Sequence, residues 1–115
     1  MRNFSRVKKI VIKIGTNTLT KAGGIDREYF GLVALQVKSL IDAGRQVVVV
    51  NSGAIGMGAG QLRLAAKPRE MKMRQACAAI GQPLLMQEYR EAFMQQGVQV
   101  AQVLLTAEVL SNRKT

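Results

Sequence analysis

A chain of 115 residues that is 48% hydrophobic carries enough apolar material for one domain with a modest core, which excludes a disordered chain. Aromatics make up only 4% and tryptophan is absent, so that core has to come from Val, Ile, Leu, Met and Ala in regular elements, a mix that suits an α/β protein. The net charge of +10 points to anionic partners, and the absence of histidine excludes imidazole acid/base chemistry and histidine metal ligands within the chain.

The first element is the β-branched run Ile10, Val11, Ile12 within 9–14, which predicts a strand buried on both faces and broken by Gly15, Thr16 and Asn17. Gly23 and Gly24 predict a loop over 21–25. Asp26 follows as a helix N-cap with Glu28 in the first turn, and Phe30, Val33, Val37, Leu40 and Ile41 recur at helical spacing as far as Gly44, a C-terminal cap. The expected helix covers 27–43. Four consecutive valines in 46–51 predict a central parallel strand, joined to the first by a right-handed crossover.

The Gly-rich stretch 52–60 and the polar, basic stretch 61–70 with Pro68 imply a short helix and a loop. Residues 71–80 read as a helix, Gly81 and Pro83 as a break, and 84–96 as a further helix ending at Gly97. Val98, Val100, Val103, Leu104 and Leu105 predict a third strand over 98–105, and 111–115 the start of another helix. Three parallel strands are few for a doubly wound sheet, so the expected architecture is an α/β parallel sheet with helices on both faces, incomplete in this chain.

Cys77 is the only cysteine, which rules out an intramolecular disulfide; in an apolar helical stretch it reads as a small buried hydrophobe. No apolar run approaches the ~20 residues needed to span a bilayer. Lys8 and Lys9 directly precede a short strand-like run where a signal peptide would place its hydrophobic region, so the expected location is the cytoplasm. The basic residues are scattered, and no aromatics interleave with them as a base-stacking platform requires; a nucleic-acid-binding module therefore rests on charge alone.

Ligands of an open parallel sheet bind beyond the carboxyl ends of its strands, where this chain places two loops. In Lys13-Ile14-Gly15-Thr16-Asn17, Lys13 supplies a localised positive charge, Gly15 permits close approach of a phosphate, and Thr16 and Asn17 offer polar groups. An ion pair at the sheet edge is the alternative role for Lys13. In Asn51-Ser52-Gly53-Ala54-Ile55-Gly56-Met57-Gly58, a strand leads into a helix whose free N–H groups suit a phosphate or carboxylate, although such glycines also serve close packing alone. Neither a GxxxxGK[ST] P-loop nor a GxGxxG dinucleotide turn is present. The methionines of 71–94 read as core filler, 67–74 as a solvated basic stretch, and Glu88 and Glu91 as surface charges.

VIKIGTNTLT at 11–20, NSGAIGMG at 51–58, RQACAAIGQPLLMQEY at 74–89 and VAQVLLT at 100–106, followed by Asn112-Arg113, together resemble the glutamate 5-kinase family of the amino acid kinase superfamily, from about residue 7 to 115. The resemblance implies Mg2+-ATP as cosubstrate and phosphorylation of the glutamate side-chain carboxylate. It implies Lys13 as the catalytic cation, Lys13, Gly15 and Thr16 at ATP, Ser52, Gly53 and Ala54 around glutamate, and no metal ligand in this chain. It further implies that 1–115 is the N-terminal part of a kinase domain whose nucleotide-binding half is absent, that the chain alone is inactive, and that the protein is a homo-oligomer. Sister kinases acting on aspartate, acetylglutamate or a nucleotide are the nearest alternatives.

Overall fold

The computed structural model describes residues 6–15, 20–21 and 24–103. Its elements in chain order are β1 (Lys9–Ile14), β2 (Thr20–Lys21), β3 (Gly24–Ile25), α1 (Arg27–Asp42), β4 (Gln46–Asn51), α2 (Ala54–Gln61) and α3 (Met71–Met94). β1 and β4 pair in parallel, from Lys9 opposite Gln46 to Ile14 opposite Asn51, as a β-α-β crossover through α1 requires. The stretch 21–25, expected as a loop, instead holds most of a short antiparallel ladder in which Thr20 faces Ile25 and Lys21 faces Gly24.

α1 forms where the periodicity places it. The Asp26 carboxylate accepts the Tyr29 N–H at 3.1 Å, satisfying one of the donors that a helix start leaves open. Phe30, Val33, Ala34 and Val37 form the buried stripe. Gly44, at φ +86°, ends the helix; its N–H donates to Ile41 and that of Arg45 donates to Leu40, closing a Schellman turn.

The core gathers Ile14 of β1, the α1 stripe, Met57 of α2, and Leu85, Tyr89 and Phe93 of α3, with Ile12, Val47 and Val49 packed against it. The sheet is therefore covered on one face. The other face, expected to be buried too, leaves Val11 68%, Val48 58% and Val50 42% exposed, because the described helices contribute their core residues to the opposite side. The α/β class holds; among the described residues the second helical layer is absent.

α3 runs unbroken through Gly81 and Pro83, contrary to the expected interruption. Pro83 removes one helical hydrogen bond, but Gly81, Leu85 and Tyr89 are buried on one side of the same helix and hold both halves in line. The buried stripe Cys77, Gly81, Leu85, Tyr89, Phe93 steps by one turn at a time, with Glu88 buried beside Tyr89. Met71, Met73 and Met94 are exposed, so they are not core filler, whereas Met57 and Cys77 are buried.

Glu88 corrects another expectation. It is only 9% exposed, because Arg27 at the start of α1 donates to it through Nε at 3.0 Å and Nη2 at 3.4 Å; a buried carboxylate needs such a partner. The third strand expected over 98–105 does not form in 98–103, where Val98 and Val100 spend their apolar surface against the core without pairing to a strand. Leu104, Leu105, the expected helix at 111–115, Thr16 and Asn17 lie outside the described residues. Among the described residues no helix is long and apolar enough to cross a membrane.

Candidate functional site

The parallel register brings the carboxyl ends of β1 and β4 together, with Ile14 opposite Asn51, so the turns that follow open at one edge of the sheet. Lys13 lies opposite Val50 on the uncovered face, and its side chain is exposed. Ser52 is two positions beyond Val50. From the spacing of strands and the rise along them, the Cα atoms of Lys13 and Ser52 are roughly 8 Å apart. Among the described residues, a Cβ added at Gly15 would have no atom within 4 Å, so their packing does not demand that glycine. Thr16 lies outside the described residues.

The β4–α2 turn is held from below. Asn51 donates through Nδ2 to the Tyr89 hydroxyl at 2.7 Å, and its Oδ1 accepts the Gly53 N–H at 2.7 Å. One side chain thus closes the turn around Ser52 and fastens it to the middle of α3. Tyr89 is itself fixed, edge-on to Phe30 with ring centroids 4.8 Å apart and tilted against Phe93 at 6.2 Å. Burial pushes its hydroxyl pKa up to about 12, against the opposing pull of the Asn51 hydrogen bond, so the group is protonated at neutral pH.

The clamp narrows one expectation about α2. The Gly53 N–H is already taken, leaving those of Ala54, Ile55 and Gly56, which have no acceptor within the helix. Ser52 is exposed, Gly53 is buried as the N-cap residue, and Ala54 is half-buried against the core.

The glycines of α2 divide by role. A Cβ at Gly58 would collide with the backbone of Cys77, and one at Gly81 with the backbone of Ala54, so α2 and α3 meet main chain to main chain. That contact fixes the first residue of α2, next to the turn. Gly60 has open space around it.

Sequence reading placed Lys13, Gly15, Ser52, Gly53 and Ala54 at this edge, and the two strands that carry them are adjacent. It missed Asn51 and Tyr89, whose pairing joins residues 38 positions apart; an Asn before Ser-Gly was the local signal available. It also set aside Lys67 and Arg74. Both are exposed, yet with Ser52, Ile55 and Pro68 they line a cavity of about 300 Å³. A larger cavity of about 680 Å³, along Arg90, Met94 and 98–101, involves neither turn. Among the described residues no group of three or more His, Cys, Asp or Glu side chains could hold a metal ion.

The amino acid kinase family matches residues 8–115. Over 97% of its length the chain is 47% identical to the glutamate 5-kinase of Methanosarcina mazei, of which it spans 31%. It is 48% identical over 98% of its length to the glutamate 5-kinase of Thermus thermophilus, and 46% identical over 96% to that of Geobacter sulfurreducens, spanning 30% of each.

Proposed function

The chain belongs to the amino acid kinase family, and from that premise we propose that it serves ATP-dependent phosphorylation of the side-chain carboxylate of L-glutamate to glutamyl 5-phosphate, at the entry to proline biosynthesis. The relatives that support this reading bear the name glutamate 5-kinase, and the chain spans about a third of their length. The observation that carries it is the register of β1 and β4, which sets Lys13 one strand away from the Ser52 turn.

In this reading a carboxylate oxygen of glutamate attacks the γ-phosphorus of ATP as the bond from phosphorus to the β,γ-bridging oxygen breaks and ADP leaves. A glutamate side chain, pKa about 4.3, is already ionised at neutral pH, so no general base is needed and the lack of histidine is no obstacle. What remains is positioning and neutralisation of phosphate charge. Lys13 is the catalytic cation at the transferred phosphoryl group, Gly15 and Thr16 lie along the ATP phosphates, and Ser52, Gly53 and Ala54 surround the glutamate. Mg2+ belongs with the nucleotide; the described residues offer it no cluster of ligands, and none is assigned to it.

Residues 1–115 then form the N-terminal part of a kinase domain whose nucleotide-binding half lies elsewhere, and alone they turn over little or no substrate. The working protein is a cytoplasmic homo-oligomer in this reading. The full-length protein should form acyl phosphate, trapped as hydroxamate, with ATP and L-glutamate, and not with aspartate or N-acetylglutamate as acceptor. Turnover with another acceptor and none with glutamate would replace this reading, and robust turnover by residues 1–115 alone would refute the division of labour.

A further inference from the structure

The cavity beside Ser52 has a hydroxyl, two cations and an apolar wall: Ser52, Lys67, Arg74, and Ile55 with Pro68. Among the described residues no acidic side chain lines it. Among the described residues, neither Lys67 nor Arg74 makes an ion pair or a side-chain hydrogen bond. Glu70 stands one helical turn before Arg74, the spacing at which such a pair forms readily, and still does not engage it.

Lys67 is also placed rather than merely solvated. A Cβ on Gly56 would stand 3.8 Å from its Cε, so the lysine stem rests over the first turn of α2. Pro68 stiffens the backbone beside it. Two cations at one small cavity, with no counter-charge among the described residues, repel each other, and an anion between them relieves that cost.

We propose that this cavity is a carboxylate site that holds the non-reacting carboxylate of the acceptor amino acid, with Arg74 and Lys67 as its specificity-determining residues. The assignment rests on the proposed function and extends it. A dicarboxylic acceptor needs two anion-holding places, one at the phosphoryl group and one away from it. Lys13 does not line the cavity, so the place at the phosphoryl group is a separate one. Ser52, which does line it, sits roughly 8 Å from Lys13 between Cα atoms, near enough for one small molecule to reach both. The guanidinium of Arg74 suits a carboxylate in particular, since its parallel N–H groups match the two oxygens.

The test uses the full-length protein with Lys67→Gln, Arg74→Gln, the double variant and Arg74→Lys. The double variant should raise the glutamate KM about 30-fold, with kcat and the ATP KM within about threefold, and Arg74→Lys, which keeps the charge but not the paired N–H groups, should recover only part of the Arg74→Gln loss. Calorimetric titration with glutarate, a dicarboxylate without the amine, should show binding weakened at least about tenfold in the double variant. An unchanged glutamate KM and unchanged glutarate affinity would overturn the assignment. So would a rise confined to the ATP KM, which would make the anion a nucleotide phosphate. If the wild type does not phosphorylate glutamate, the proposed function fails by itself, and the glutarate titration alone decides whether the cavity takes a carboxylate.

Discussion

α1 and the α2–α3 pair are attached by opposite means. α1 docks through side chains, with Phe30, Val33, Ala34 and Val37 filling the space between helix and sheet. α2 and α3 dock through the absence of side chains, at Gly58 and Gly81, where each backbone occupies the volume a Cβ would need. The first kind of contact can relax when an atom is removed. The second has no give when one is added, and it is the one that fixes the turn bearing Ser52.

The sharpest way to break this comparison is to add single methyl groups. Gly81→Ala should cost about 4 kcal/mol or more in urea unfolding, because main-chain atoms must move, and Gly58→Ala should behave alike. Val37→Ala, which removes atoms from the α1 contact, should cost about 2 to 3 kcal/mol. Gly60→Ala, in the same helix but with open space, should stabilise by up to about 1 kcal/mol. If Gly81→Ala proves milder than Val37→Ala, the distinction between the two attachments is wrong.

The contrast also explains what could be read in advance. Side-chain docking writes a period into the sequence, so α1, its Asp26 cap, its Gly44 stop and the valine strand were all legible. The proximity of Lys13 and Ser52 followed from the crossover rule, since adjacent parallel strands must end on the same edge. Main-chain docking leaves only glycines, and Gly81 beside Pro83 looks like a helix break until the partner helix is in place. Long-range polar pairs leave even less: Arg27 and Glu88 are 61 residues apart, and nothing near Glu88 announces its burial. Val98 and Val100 have strand composition, but they satisfy their apolar surface against the core instead of in a ladder.

Next in size is the clamp between the two regions. Tyr89→Phe leaves the Asn51 amide without its acceptor and should cost about 1 to 2 kcal/mol, and Asn51→Ala a similar amount; because they share one hydrogen bond, the double variant should cost less than the sum. An additive double variant would show that Asn51 and Tyr89 are not coupled.

The same hydroxyl has a pH signature. Its pKa in the folded chain is raised from 10.0 to about 12, so the unfolded chain loses that proton first and stability declines as pH rises from about 10 to about 12, with the full contribution present below 10. Denaturant titrations over this range should differ in slope by one proton, the wild type losing stability faster than Tyr89→Phe so that their difference narrows. Parallel curves would mean that the phenol ionises as freely in the fold as in the unfolded chain.

The smallest expected effect sharpens the comparison at the helix ends. α2 closes like α1, with Arg63 donating to Gly60 and Leu64 to Ala59, but Arg63 holds the left-handed position at φ +57° that Gly44 fills for α1. Arg63→Gly should therefore stabilise by about 1 kcal/mol, read as a higher urea midpoint at unchanged slope. A lower midpoint would mean that the arginine side chain contributes more than the backbone strain costs.

The account turns on Lys13 acting at the edge it shares with Ser52, and steady-state kinetics of Lys13→Met in the full-length protein test this most directly. It predicts a kcat at least about 100-fold lower with the glutamate KM within about threefold, because the lost charge acts on the transferred phosphoryl group and not on the acceptor. A variant that keeps wild-type kcat would contradict it.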